Sequence, residues 1–374
     1  MIYIMCFMLS TIFIKYGTKD NKINKILVSC GLIIPSILAA LRDCTVGSDV
    51  SYYVVPYFNR AVGNTTFLNY VKVSKSDVGY LLLNYIISRF TNNIGWLFFI
   101  CQFIVLIFVF LAILKFSELL PVSISSAMLC YYLIFYNLTL STVRQSIAIA
   151  ISFYCITIFM HCHKIDLRIM IKISALLLLA MSFHATTVFA CLILIIIYVY
   201  QRFKLNTSLT ILVTVILSAI FGFFSNTFIR LASQFAGLFS TIYENWAYTG
   251  VNRGGLSGYF TIIIVGVICL VVNIFIEKSI KDGKQIMINR CLIILNTLYV
   301  GMMLFMSHIT FIPRLMYYIQ IMWCIIFSQI SIFFKKNKIN QYGSMSLIVL
   351  ILLVYWIYFY AIGGVHGTLP YTFR

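Results

Sequence analysis

The chain has 374 residues, of which 62% are hydrophobic and only 10% are charged, and its mean hydropathy is +1.01. These values exclude an ordinary soluble domain, because the apolar runs approach the roughly 20 residues that span a bilayer. The formal net charge of +18 would indicate a nucleic-acid partner in a soluble protein. Here the lysines follow the positive-inside rule of membrane proteins, so we predict no nucleic-acid partner.

The apolar runs predict an all-α polytopic membrane protein with about twelve transmembrane helices, forming a single integral membrane domain over residues 1–374. The predicted spans, in chain order, are Ile2–Ile14, Ile26–Leu41, Ile94–Leu114, Val122–Tyr136, Val143–Met160, Ile169–Ser182, Thr186–Tyr200, Leu209–Phe224, Tyr259–Ile276, Cys291–Met306, Ile312–Phe334 and Met345–Ile362. Several spans are short for a bilayer, which predicts tilted helices or longer true boundaries.

Lysine-rich and arginine-rich gaps alternate between these spans. The lysine-rich gaps are expected to face the cytoplasm. The opposite face then holds two lysines, Lys72 and Lys75, and eight arginines: Arg42, Arg60, Arg89, Arg144, Arg230, Arg253, Arg314 and Arg374. Because arginine binds phosphate through paired hydrogen bonds, arginines on this disfavoured face indicate an anionic ligand. Two long segments on the same face, 42–78 and 225–258, are predicted to be outer (periplasmic) loops.

The first candidate site directly follows the second predicted span. Arg42 lies within eight positions of two carboxylates, those of Asp43 and Asp49, and Tyr52 and Tyr53 come next. One interpretation is a phosphate-binding arginine oriented by a carboxylate, with the tyrosines lining a sugar site. The other is a polar loop with an internal salt bridge and an interfacial aromatic belt.

The second candidate site opens the fifth span from the outer side. Arg144 and Gln145 lie in the first turn of the predicted helix, where free N–H groups and the helix dipole favour an anion. An arginine at the end of a span also reaches the lipid headgroups in many membrane proteins. The coincidence of several anion-binding features favours a substrate site.

Further candidates lie in other outer gaps. His184, between two apolar runs, is interpreted as a general base, a donor to phosphate or a histidine bonded at a helix end. Arg314 follows Pro313, a residue that can start a helix, and is a second candidate phosphate ligand. Arg253 precedes two glycines and is a third, and Trp246 is a candidate for stacking on sugar rings or for the interfacial belt.

The eleven cysteines lie almost entirely within apolar segments and show no metal-ligand spacing. No disulfide framework is therefore predicted. No acidic pair with metal-ligand spacing occurs either, so we expect no metal requirement and no cofactor.

Several segments together resemble the EpsG family, a Wzy-like group of bacterial polysaccharide polymerases. The resemblance is carried by Arg42 with Val46-Gly47-Ser48-Asp49 and Tyr53, by Val143-Arg144-Gln145-Ser146-Ile147-Ala148, and by Ser182-Phe183-His184. Weaker matches are Arg314-Leu315-Met316-Tyr317-Tyr318 and the C-terminal Leu369-Pro370-Tyr371. The segments follow the family's order across nearly the whole chain, although the family often has threonine where Ser48 stands.

The resemblance implies a glycosyltransferase at the outer face of the bacterial cytoplasmic membrane. Such proteins transfer a growing glycan from undecaprenyl pyrophosphate to a new lipid-linked repeat unit, making O-antigen, capsule or exopolysaccharide. A chain-length regulator and a flippase are the implied partners.

In that chemistry, His184 is expected to act as the base, with Asp49 as the alternative. The arginines, led by Arg144, would stabilise the leaving pyrophosphate. A flippase or transporter of lipid-linked oligosaccharide, and an O-antigen-ligase-like transferase, are the competing interpretations.

Overall fold

The computed structural model describes residues 1–19, 22–64, 66–162, 166–203, 205–224, 256–306, 311–333 and 338–374. Within these ranges the chain is helical and forms no strand. Its one extended pairing is an isolated antiparallel bridge between Arg42 and Phe373.

The helices are named in chain order. They are α1 Ile2–Gly17, α2 Lys25–Leu41, α3 Val55–Gly63, α4 Phe67–Ser74, α5 Val78–Ser88, α6 Ile94–Ser117, α7 Ile124–Tyr131, α8 Asn137–Ser141, α9 Val143–His161, α10 Leu167–Phe183, α11 Val188–Phe203, α12 Thr207–Phe223, α13 Leu256–Glu277, α14 Gly283–Met306, α15 Ile312–Gln320, α16 Trp323–Phe333 and α17 Lys338–Trp356. Short π-helical segments cover Val50–Val54, Tyr132–Tyr136 and Ile357–Ile362, and 3-10 turns cover Ala185–Thr187 and Val365–Gly367.

Among the described residues, seven helical segments are long and apolar enough to cross a membrane. They are Ile94–Ser117, Ile124–Ser141, Val143–His161, Ala185–Phe203, Tyr259–Glu277, Gly283–Phe305 and Gly343–Ile362. The predicted helical membrane fold is confirmed at this level. Each of the twelve predicted spans coincides with helical structure, but the count of twelve crossings stays a prediction.

The chain divides into two compact units. The first contains Met1–Leu194 together with Phe327–Arg374, and the second contains Ile195–Ile326. The single domain expected from the sequence stays a prediction.

A proline in α2 shapes the packing of α1 and α2 in the first unit. Pro35 has no N–H, so the carbonyl of Gly31 lacks its usual helical donor. Ser10 of α1 satisfies it, because its hydroxyl donates to the Gly31 oxygen at 2.6 Å. A Cβ at Gly31 would lie 2.7 Å from the Ile14 side chain, so the two helices are in close contact there.

The C-terminal tail is bonded into the same unit. Asn137, which is fully buried, donates to the Thr368 hydroxyl at 2.9 Å and accepts from the Trp356 indole at 2.7 Å. The Tyr3 hydroxyl donates to the Thr368 carbonyl at 2.9 Å. These buried polar groups satisfy one another, as an apolar environment requires. The tail is therefore held against the start of α8.

Residues 42–78 were expected to form a long outer loop, and the structure builds most of them into helices. Ala61, Tyr70 and Leu81, from α3, α4 and α5, form a small buried core. Arg89, at the end of α5, donates to the Ala61 carbonyl at 2.5 Å. The segment is thus a folded platform with its own apolar interior.

In the second unit, a buried amide connects α13, α14 and α16. Asn296 donates to the Gly266 carbonyl at 3.0 Å and accepts from the Trp323 indole at 2.8 Å. Such hydrogen bonds between helices help to hold membrane helices together, since a polar group left unpaired in an apolar medium is costly.

Candidate functional site

The candidate site is built around a break between α8 and α9 at Thr142, whose φ of −90° and ψ of 52° interrupt the helix. Arg42 and Ser48, which follow α2 in the chain, both bind the end of α8. Arg42 Nη1 donates to the Leu140 carbonyl at 2.5 Å, and the Ser48 and Ser141 hydroxyls lie 2.8 Å apart. These contacts fix the point at which α9 begins.

Arg42 lies inside the fold, with 1% of its surface exposed. Its guanidinium is 4.2 Å from the centre of the Phe98 ring, a cation–π contact. Arg42 follows the C-terminus of α2 and bonds Leu140 near the C-terminus of α8. The negative ends of two helix dipoles therefore surround this buried cation. The expected contact between Arg42 and pyrophosphate stays a prediction.

Gly47 makes possible the turn between Arg42 and the π-helical segment Val50–Val54. Its φ is +107°, and a Cβ there would lie 2.7 Å from the Leu140 carbonyl oxygen. The amide N–H groups of Gly47 and Ser48 donate to the carbonyls of Gly367 and His366, both at 2.8 Å. Glycine is required for this close approach, since an L side chain would be strained and would clash.

Arg144, in the first turn of α9, lies in a pocket of tyrosines. Its guanidinium carbon is 6.0, 5.7 and 5.8 Å from the ring centres of Tyr53, Tyr57 and Tyr80. Its side chain is 24% exposed. Arg144 and Tyr53 were predicted in two separate candidate sites, and the structure brings them together.

Arg144 also forms an ion pair that the sequence analysis missed. Its Nη1 lies 2.8 Å from Asp77 Oδ2 and donates to the Ser76 hydroxyl at 2.6 Å. Burial raises the pKa of Asp77, and the positive charge of Arg144 opposes that rise. Asp77 directly precedes the apolar run of α5, a signal that in sequence reads only as a helix cap.

A hydrogen-bonded chain connects α9 to His184. Gln145 Nε2 donates to the Thr186 hydroxyl at 3.3 Å, and that hydroxyl lies 2.7 Å from His184 Nδ1. The Thr186 amide N–H points to the same Nδ1 at 3.3 Å. Because an amide N–H can only donate, Nδ1 accepts, and this network assigns the hydrogen of the neutral ring to Nε2.

Helices α5 and α10 meet closely beside these residues. A Cβ at Gly79 would lie 2.2 Å from the Ser182 hydroxyl oxygen and 2.9 Å from its carbonyl oxygen. This contact sets Asp77, two residues before Gly79, beside the turn that holds His184. The structure thus brings together the starts of α5 and α9, the turn after α10 and the π-helical segment before α3.

The remaining predicted residues divide into three groups. Asp49 lies one turn before Tyr53, whose amide N–H donates to its carbonyl at 3.0 Å. Arg314 is half-buried in the first turn of α15, where Pro313 starts the helix as predicted, and it belongs to the second unit. Arg253 and Trp246 lie outside the described residues.

Metal-ligating side chains do not cluster in the described parts of the chain. No group of three His, Cys, Asp or Glu residues there is arranged to hold a metal ion. All eleven cysteines lie in described segments, and none of them forms a disulfide bond.

The model of the EpsG family matches residues 25–373, which include every residue of the site described above. The chain belongs to the EpsG family. The EpsG family comprises Wzy-like polysaccharide polymerases. Family membership therefore indicates an activity in polysaccharide synthesis at a membrane. No curated protein and no solved structure gives a match.

Proposed function

We propose that this EpsG-family protein polymerises a polysaccharide at the outer face of the bacterial cytoplasmic membrane. It would transfer the growing glycan from undecaprenyl pyrophosphate to the sugar of a new lipid-linked repeat unit. The observation that carries this proposal is the position of Arg144. This arginine starts a membrane helix, is partly exposed and stands among three tyrosine rings.

In this proposal Arg144 stabilises the leaving group. When the glycosidic bond to the lipid pyrophosphate breaks, negative charge develops on the pyrophosphate oxygen. A fixed guanidinium at that point stabilises the transition state more than the ground state. The start of α9 would add to this effect, because no side chain caps it and a helix N-terminus favours a bound anion.

The aromatic residues suit the sugar part of the substrate. Tyr53 is 37% exposed and Tyr52 is 79% exposed, while Tyr57 is half-buried beside Arg144. Tyrosine combines a flat apolar face with a hydroxyl, which matches the apolar faces and hydroxyl groups of a sugar ring. We assign these rings to the glycan next to the pyrophosphate.

The structure suggests changed roles for two predicted residues. Arg42 would act as a positioning residue, since it holds the end of α8 and hence the start of α9. His184 would donate from Nε2 to a substrate oxygen, because Nδ1 already accepts from Thr186. Gln145 would orient His184 through the Thr186 hydroxyl. Arg253 and Arg314 stay proposed pyrophosphate ligands.

The proposal gives no role to a metal, because the guanidinium supplies the positive charge that the leaving group needs. A chain-length regulator and a flippase are the proposed partners. O-antigen, capsule and exopolysaccharide share this chemistry, so the experiment below follows the length of any surface glycan.

The test is deletion in the native host, followed by complementation with wild type, Arg144→Ala and Arg60→Ala. Arg60 is the matched control, because it is an exposed arginine of the platform that also lies near Tyr57, 5.7 Å from its ring. We expect wild type and Arg60→Ala to restore a ladder of glycan lengths on a gel, and Arg144→Ala to leave one repeat unit on lipid. A full ladder with Arg144→Ala would contradict the proposal, and lipid-linked units trapped inside the deletion strain would indicate a flippase.

A further inference from the structure

Asp77 stands at the start of a helix but does not cap it. It precedes α5, where a capping side chain would normally accept hydrogen bonds from the first amide groups. Asp77 makes no such capping bond. Its carboxylate turns to Arg144 instead and forms the 2.8 Å ion pair, with 17% of the side chain exposed.

Three features of this carboxylate suit proton transfer. It stands beside the guanidinium assigned to the leaving pyrophosphate, so a reacting sugar held there would be within its reach. A carboxylate has lone pairs on two oxygens, and the ion pair uses Oδ2. Burial raises the pKa of Asp77, which brings a carboxylate closer to the range of an effective general base.

His184 suits that role less well. A general base needs a free lone pair, and Nδ1 of His184 already accepts from the amide of Thr186. The neutral ring then carries its hydrogen on Nε2 and acts as a donor.

Resting on the proposed polymerase function, we infer that Asp77 is the general base that takes the proton of the acceptor sugar hydroxyl. The hydroxyl oxygen attacks the anomeric carbon of the donor glycan and forms the new glycosidic bond. The bond from that carbon to the pyrophosphate oxygen breaks, and its electron pair stays on the pyrophosphate. The hydroxyl proton goes to Asp77, which later releases it to water.

This step keeps the charge around Arg144 balanced. Before reaction, the guanidinium is paired with the Asp77 carboxylate. As Asp77 gains the proton it becomes neutral, while one negative charge appears on the leaving pyrophosphate. Arg144 therefore exchanges one anionic partner for another within the same site, with little net change in buried charge.

Several titratable groups surround Asp77 and bear on its pH dependence. They are Arg144, the three tyrosines around it (Tyr53, Tyr57 and Tyr80), His184 in the neighbouring turn, and Lys75 two residues before Asp77. Arg144 is the charged group that acts on the pKa of Asp77. Tyrosine, lysine and arginine ordinarily titrate far above the acidic range, at about 10 or higher.

The test measures kcat and KM against pH for the purified full-length protein in lipid, using lipid-linked repeat units extracted from the deletion strain. In wild type, we expect kcat to fall in acid with a midpoint above the ordinary aspartate value of about 4. Asp77→Asn should lower kcat at least ~100-fold, change KM less than about threefold and lose the acidic limb. Asp77→Glu, which keeps a carboxylate, should be at least ~10-fold faster than Asp77→Asn and keep a shifted limb.

Ser76→Ala is the matched variant, because it removes the other hydrogen bond to the Arg144 guanidinium without removing a base. Its kcat should keep the acidic limb. If Asp77 only positions Arg144, Asp77→Asn will resemble Ser76→Ala and also keep that limb, which would overturn the inference. If Asp77→Asn does not fold, an acidic limb at the same pH in wild type and Asp77→Glu would overturn it. Wild-type protein that forms no glycosidic bond would contradict the proposed function itself.

Discussion

At the residue scale, two arginines occupy different environments on the two sides of the α8–α9 break. Arg42 is buried and bonds a backbone carbonyl, whereas Arg144 is partly exposed and faces an acid and three aromatic rings. The sequence indicated both as phosphate ligands, because both follow or open a predicted span on the outer side. Burial separates them, and burial of a loop arginine depends on contacts with distant residues such as Phe98 and Leu140.

The first residue-scale prediction concerns Arg42. Replacing it with alanine leaves the Leu140 carbonyl without its donor and opens a cavity beside Phe98. We expect the free energy of unfolding to fall by about 2–4 kcal/mol. Arg42→Lys should lose less, since an ammonium can still donate to the carbonyl. Thermal unfolding in lipid measures both, and equal stability of Arg42→Ala and wild type would contradict the positioning role.

The second residue-scale prediction concerns Gly47. Gly47→Ala places a side chain at φ +107° and within 2.7 Å of the Leu140 oxygen, so the turn must shift. We expect a loss of about 1–3 kcal/mol in unfolding free energy together with lower polymerase activity. Gly63→Ala is the control, because a Cβ at Gly63 meets no atom within 4 Å. The account of this turn fails if the two variants behave alike.

At the element scale, the site depends on how α5, α9 and α10 end or begin. Sequence hydropathy was sufficient to find α9 and α10, and the first turn of α9 was predicted to hold Arg144 and Gln145. The contact of α5 with α10 could not be predicted, because it rests on the absence of a side chain at Gly79 and on the position of Ser182 at the end of α10. The pairing of Asp77 with Arg144 was missed because an aspartate before an apolar run predicts a helix cap, and its partner lies 67 positions away in the chain.

The element-scale prediction is therefore that Gly79→Ala separates α5 from the turn that holds His184. Its Cβ would overlap the Ser182 hydroxyl and crowd the Ser182 carbonyl. A displacement of about 1 Å in a catalytic group lowers rates up to ~100-fold, so we expect a fall in kcat of that order. Gly283→Ala, at the start of α14 with open space around its Cβ, is the control. Equal rates for both variants would show that the α5–α10 contact does not position the site.

At the scale of the whole molecule, hydropathy predicted the helical membrane fold. A helix that crosses lipid satisfies its own backbone hydrogen bonds, and its sequence is a continuous apolar run that hydropathy detects. The folded platform at 42–78 was predicted as a loop, since helices of eight or nine residues with mixed polarity leave only a weak periodic signal. The arginine asymmetry led to the site, but the acid that accompanies Arg144 became visible only in three dimensions.

The topology gives the whole-molecule prediction. Alkaline phosphatase, which is active only outside the cytoplasm, is fused after Asn64 of the platform and, separately, after Cys162 in a lysine-flanked gap. We expect activity from the first fusion and none from the second, because lysine-rich gaps stay in the cytoplasm. The reverse pattern would place Arg144 at the cytoplasmic face and contradict the proposed orientation.

In the proposed reaction the protein forms a glycosidic bond and releases the lipid pyrophosphate that carried the donor glycan. The most direct measurement incubates purified wild-type protein in lipid vesicles with lipid-linked repeat units, and counts glycosidic bonds and released undecaprenyl pyrophosphate together. We predict one lipid pyrophosphate released per bond formed, with both quantities abolished by Arg144→Ala. Movement of lipid-linked units across the bilayer without bond formation or release would contradict the account.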